Sequence, residues 1–184
     1  EVVLAAGRGE EAAVLVWLDG GGWVDERFEY VFADGPVSGM TLLMVALAAL
    51  IVAAVNGREK MVELALRHGA EVDQRNKFGN TALINAACKG YGRIVDTLIR
   101  LGAEIDLQAN EGDTAMIQAA SFGHPAVVLR LLRAGADMTL RSSGGKTALQ
   151  MAKVKGHAEC VRVIEEHAAA EAAAEAAARE AVRA

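Results

Sequence analysis

The sequence predicts an all-α repeat solenoid: short helix-turn-helix units stacked side by side, with turns of β-hairpin type projecting from one edge. Three observations carry this. Gly69-Ala70-Glu71-Val72-Asp73, Gly102-Ala103-Glu104-Ile105-Asp106 and Gly135-Ala136-Asp137-Met138-Thr139 recur every 33 residues, and a fixed period of roughly 20–50 residues marks a stacked array. A second pattern, Gly-x-Thr-Ala, returns at the same spacing from Gly79, Gly112 and Gly145. The composition agrees: 53% hydrophobic but only 4% aromatic residues, so the core must be built from small aliphatic side chains on closely spaced helices. A chain of 184 residues has room for one packed domain or one short array.

The array is expected over residues 1–167, in units of about 1–38, 39–78, 79–111, 112–144 and 145–167. At its start, Glu1 to Ala6 and Glu10 to Leu18 read as a truncated helix pair closed by the glycines at 20–22. The turn that follows, 22–38, is extended: Gly21 to Gly39 takes 18 positions where Gly69 to Gly79 takes 10. Phe28, Tyr30 and Phe32 alternate in it as in a strand, and Asp34-Gly35 is a turn signal, so a projecting finger is expected. Four of the chain's eight aromatic residues lie at 23–32. Aromatic anchors on a projecting element tend to dominate binding, which makes Phe28, Tyr30 and Phe32 candidate partner-binding residues.

The next element is a lengthened first helix, 41–56. Thr41 to Gly57 takes 16 positions where Thr81 to Gly90 takes 9, and seven extra residues are close to two helical turns. Met40 to Val55 carries no charge, but the run is short for a membrane span and sits inside the repeat register. Two readings stay open: the extra turns pack on neighbouring helices, or Leu47, Leu50, Ile51 and Val52 form a protruding apolar surface. The chain is expected to be monomeric, with self-association through Leu47, Leu50 and Ile51 as the exception this run allows.

The regular units follow. Thr81 is placed to cap a helix over Ala82–Lys89, and Gly90 supplies its left-handed end. A second helix starts near Arg93, with Ile94, Val95, Leu98, Ile99 and Leu101 on one stripe, and Gly102 stops it. Pro125 suits the first turn of the equivalent helix. The last pair is expected at Thr147 to Lys155 and Ala158 to His167. The Ala/Glu-rich remainder, 168–184, has high helix propensity and one supportive spacing, Glu175 to Arg179.

Charge narrows the functional classes. The formal net charge is −5, and residues 165–184 hold five acids against two arginines. The remaining body is close to neutral and lacks the basic stripe that draws a protein to phosphate backbones, so nucleic acid is not expected as a partner. Cys88 and Cys160 stand alone without metal-ligand spacing, and read as buried thiols. Ser142-Ser143-Gly144-Gly145-Lys146-Thr147 ends like a phosphate-binding loop, but Leu140 stands where the first glycine is required. His124 and His157 follow repeat glycines and read as structural. No nucleophile, base and orienting group recur together, so no catalysis, metal or cofactor is predicted. The first residue is Glu1 rather than Met, so the chain is expected to continue upstream, together with any targeting signal. An intracellular setting, cytoplasm or nucleus, is expected.

The quoted residues resemble the ankyrin repeat: Gly-x-Thr-Pro-Leu-His-x-Ala-Ala, then Gly-His, then a Leu-rich helix ending in Gly-Ala-Asp, matched over roughly Gly39 to His167. Leu42, Ala82, Ala115 and Ala148 replace the family's proline. Met44, Ile84, Ile117 and Gln150 replace its histidine, which implies more apolar packing and fewer polar ties at the turn. The resemblance implies a protein-binding scaffold that meets an unidentified partner protein through the turn tips and the concave face of the first helices. Carried across by slot, the tip residues are Arg75, Lys77, Phe78, Asn80, Asn110, Glu111, Asp113, Arg141 and Lys146. The helix residues are Asn85, Lys89, Gln118, Ser121 and Met151, with Phe78 the best single anchor. The alternative is a regulatory or substrate-recruiting segment of a larger multidomain enzyme.

Overall fold

A computed structural model of the chain describes residues 3–5, 13–15, 17–18, 22–23, 50–67 and 69–183. Helix α1 is described over 50–55. It is followed by α2 (Glu59–Arg67), α3 (Ala82–Lys89), α4 (Gly92–Arg100), α5 (Ala115–Ser121), α6 (Pro125–Arg133), α7 (Ala148–Lys155) and α8 (Ala158–Arg183). The inner helices α3, α5 and α7 stack on one another, and the outer helices α2, α4, α6 and α8 form a second layer behind them. The all-α repeat solenoid read from the sequence is the fold of this body.

Local chemistry accounts for the helix limits. Thr81, Thr114 and Thr147 are extended N-caps whose hydroxyls accept from the backbone N–H of Ile84, Ile117 and Gln150. Each satisfies one donor that the first turn leaves unpaired. Gln150 also bonds back to the Thr147 N–H, completing a capping box. Gly90 and Gly156 close α3 and α7 in the left-handed conformation. Pro125 opens α6, where a missing N–H costs nothing. Ile84 and Ile117 are buried, as expected where the family's histidine is absent.

One continuous core runs between the layers: Ala82, Leu83, Ala86 and Ala87 of α3 face the corresponding alanines of α5, backed by Ile94, Val95, Leu98, Val127, Val128 and Leu131. Leu101 falls outside the stripe the sequence assigns it, because it caps α4 and is largely exposed. Leu50 also departs from one expectation. It is fully buried, with Val52 packed against the same core, so it cannot belong to a protruding self-association surface. Ile51 is half-buried, and Leu47 lies outside the described residues.

The N-terminal helix pair expected at 1–18 is not what the described residues form there. Strand β1 (Val3–Ala5) pairs antiparallel with β2 (Ala13–Leu15), and β3 (Trp17–Leu18) with β4 (Gly22–Trp23). Such short apolar runs rich in Val fit either helix or strand by periodicity alone. Among the described residues, strand pairing is confined to these ladders. The projecting connections are hydrogen-bonded turns, such as Gly79 N–H to Asn76 O (2.9 Å) closed by Asn76 N–H to Asn80 O (3.0 Å).

Candidate functional site

The turn tips are built as a tied row. Asn76 Oδ1 accepts from the N–H of Phe78 (2.9 Å) and of Asn80 (3.0 Å), an Asx arrangement that holds the turn and sends the Phe78 ring outward. Gly79 has φ 75°, and a Cβ there would lie 2.4 Å from Asn110 Oδ1. Only glycine lets the next tip close on this one. Asn110 then donates its backbone N–H to Phe78 O (3.0 Å) and its side-chain amide to Lys77 O (3.1 Å). The third tip repeats the tie, with Ser143 N and Oγ both donating to Glu111 O (2.8 and 2.7 Å). Below these, Arg75 donates to Gln108 O (2.9 Å), and Gln108 donates to Arg141 O (2.9 Å). Tips cross-linked in this way lose little freedom when something docks on them.

Between the first two of these tips lies a groove of about 390 Å³ lined by Phe78, Asn80, Ala109, Asn110, Glu111, Asp113 and Gln118. Phe78 forms its rim, 59% exposed, with the Lys77 ammonium 5.0 Å from the ring centroid. Such a contact in the open is worth about 0.5–1 kcal/mol. Asp113 is half-buried on the groove wall and accepts from the Gln118 amide at 2.8 Å. Burial first, and then the neighbouring Glu111 charge, push its carboxyl above the ordinary range, against the pull of the Gln118 hydrogen bond. The groove thus offers an aromatic face, three amides and two carboxylates, with no basic side chain in its lining.

Six residues assigned to binding by slot converge here: Phe78, Asn80, Asn110, Glu111, Asp113 and Gln118. Ala109 joins them without any sequence signal beyond its place in the turn. Lys77 and Lys146 are exposed beside tips. Arg75 is spent on Gln108, and Arg141 on Gly145 O (2.8 Å) and Gln150 Oε1 (3.3 Å). Asn85 turns its amide back to Thr81 O (2.9 Å). Met151 is half-buried against the core. Lys89 and Ser121 stand at the opposite ends of the inner helices, a helix length from the groove. Phe28, Tyr30 and Phe32 lie outside the described residues.

The residues read as structural are in structural places. His124 and His157 reach across the repeat boundary to Cys88 O (2.9 Å) and Ser121 O (3.0 Å), so each Nε2 carries the donated proton. Their rings fill the space beside Gly90 and Gly123, where a Cβ would approach within 2.7 Å. Burial pushes both cysteine thiols up, away from the thiolate that nucleophilic chemistry needs. Ser142 to Thr147 is a tip turn ending in a helix cap. Among the described residues no helix is long and apolar enough to cross a membrane.

The family model described as Ankyrin repeats (3 copies) matches residues 3–109, 50–142 and 86–176. Comparison with curated proteins finds no match. With the period, the caps, the tied tips and a family match over nearly the whole chain, this protein belongs to the ankyrin-repeat family, whose members generally serve as protein–protein interaction modules.

Proposed function

We propose that the chain binds a partner protein in the groove between the tips at Phe78 and Asp113, and that it does so without catalysis. The observation that carries this reading is the convergence of Phe78, Asn110, Asp113 and Gln118 on one groove whose walls are held by cross-tip hydrogen bonds. An exposed ring at the rim of a polar groove has the form of an interface anchor, since a few buried aromatic residues carry most binding energy. The lining supplies acceptors and amides and holds no hydroxyl, thiol, amine or imidazole, a composition that suits recognition by hydrogen bonds. Partner atoms that donate hydrogen bonds fit it best. Extended-turn residues Phe28, Tyr30 and Phe32 belong to the same proposal as further anchors.

The test compares partner capture by the wild-type chain with capture by Phe78→Ala and by Asp113→Asn, each checked by circular dichroism. Loss of an anchor is expected to weaken the partner by about 2 kcal/mol, roughly 30-fold. A partner retained at unchanged affinity by both variants rules the groove out.

A further inference from the structure

We propose a second interaction surface on the edge opposite the turn tips. Lys89, Phe122 and Lys155 form a row there that takes an extended acidic segment of a partner protein, with an apolar side chain midway between two carboxylates. This surface does not depend on the tip groove.

The three residues hold the same slot in successive units. Helices α3, α5 and α7 begin at Ala82, Ala115 and Ala148, and each residue of the row is the eighth from its helix start. The inner helices stack side by side, and packed helices lie about 8–10 Å apart, so the row is roughly 16–20 Å long. Lysine at a helix C-terminus is favoured by the helix dipole, which accounts for Lys89 and Lys155 locally. Nothing local accounts for Phe122. It caps α5 with its ring 55% exposed and takes no part in the core. Val154, beside Lys155, is 62% exposed and widens the apolar strip.

The two lysines are also uncompensated. Arg93, Arg100, Arg130, Lys153 and Arg162 each sit against an acid, whereas neither Lys89 nor Lys155 has an ion pair among the described residues. The edge therefore presents cation, ring, cation at equal steps. A polyproline II chain rises about 3.1 Å per residue with three residues per turn. Its side chains at i, i+3 and i+6 consequently share one face at about 9 Å intervals, the step of the row. A β-strand alternates faces and would turn the middle residue away. The fitting sequence is acid-x-x-apolar-x-x-acid. A single-file row with one central ring suits a thin chain better than a plane of lipid headgroups.

The probe is a labelled Glu-Pro-Pro-Leu-Pro-Pro-Glu peptide titrated into the full chain, beside a version with Lys in place of both Glu. Backbone amide shifts at 89–91, 122–124 and 154–156 are expected with the Glu peptide alone. Affinity is expected to fall about tenfold or more in Phe122→Ala and in the Lys89→Gln, Lys155→Gln double variant, and to be unchanged in Phe78→Ala. If Phe122→Ala fails to fold, Phe122→Lys restores the residue type of both neighbouring units and must show the same loss. Several outcomes overturn the proposal: equal binding of the Lys peptide, binding unaffected by the Phe122 variants, no shift at millimolar peptide, or binding to phosphatidylserine vesicles in place of the peptide. Loss of a captured partner in Phe78→Ala with the peptide still bound separates the two surfaces.

Discussion

The inner units and the last unit follow one pattern and differ where they would meet a neighbour. Ala87 and Ala120 are completely buried at the stacking face. The same slot in α7 holds Lys153, whose ammonium lies 2.8 Å from Glu165. Glu165 itself stands where α4 and α6 carry Ile99 and Leu132, and Gln150 stands where Ile84 and Ile117 are buried. Gly90 and Gly123 are filled by the histidine rings of the next unit, while the space beside Gly156 is open. Gly102 and Gly135, both at φ 90°, stop the outer helices. Ala168 takes their slot, so α8 runs on to 26 residues. The last unit thus departs from the inner ones at a few interface positions, with charge in place of methyl groups, while the threonine N-caps are kept.

The largest effect expected from this contrast is in core packing. Leu131, completely buried between layers, should cost about 2–5 kcal/mol as Leu131→Ala. Val154→Ala, on the open face, should stay within about 0.5 kcal/mol. Urea unfolding of both variants measures the difference, and equal midpoints would refute the assignment of inner and terminal faces.

Next come the two glycine slots. Gly123→Ala and Gly156→Ala share the cost of a left-handed alanine, about 1–2 kcal/mol. Gly123→Ala must also displace the His157 ring, 2.7 Å from the added Cβ, which adds about 1–3 kcal/mol. The gap between the two variants isolates the ring contact from the backbone cost. No gap would mean that His157 moves freely and contributes little to holding the units together.

A smaller effect concerns the charged face. Joining Lys153→Ala with Glu165→Leu restores the inner-unit residue types and removes an exposed ion pair worth about 0–1 kcal/mol. The fold should survive, and sedimentation should show stronger concentration-dependent association than in wild type. A variant that associates no more than wild type would show that these two residues do not keep the face apart.

Much of this was legible in the sequence because it is local. The caps at Thr81, Thr114 and Thr147 and the stop at Gly90 follow from backbone rules within one turn, and α3 spans Ala82–Lys89 as read. The groove was legible only in part. Slots identify Phe78 and Asp113, but nothing in a linear reading brings them to one cavity or shows that Arg75 is consumed by a bond to the next tip and Arg141 by bonds to Gly145 and Gln150. The bonds that join one tip to the next link residues about 33 apart in sequence. Leu50 illustrates a different limit: an uncharged helix reads alike whether it is buried or exposed. Val3–Ala5 is too short to separate strand from helix, and its strand came as a correction. Phe122 stands out in the repeat as a ring in a slot otherwise held by lysine, a difference that the family's binding slots do not mark.

The smallest effect lies in the turns, again where an inner slot and its last copy part. Asp73 and Asp106 each accept from a backbone N–H of the next unit, Glu104 (3.1 Å) and Asp137 (3.0 Å). Thr139 occupies the third copy of that slot and turns back instead, donating its hydroxyl and its N–H to Asp137 Oδ1, both at 2.7 Å. Those bonds, the hydroxyl first, hold the Asp137 carboxyl below its ordinary range. A lowered folded-state value means the contribution is present above the unfolded-state pKa, about 3.9, and is lost as pH falls through the folded value. Asp113 has the opposite sign, since its raised value favours the folded state below the unfolded pKa and loses that advantage as pH rises through the folded one. Thr139→Val removes one donor and keeps the N–H, so NMR titration should find Asp137 shifted upward part of the way while Asp113 is unmoved. An Asp137 titration identical to wild type would mean that the hydroxyl does not hold it, and that the last turn is no more self-contained than the turns before it.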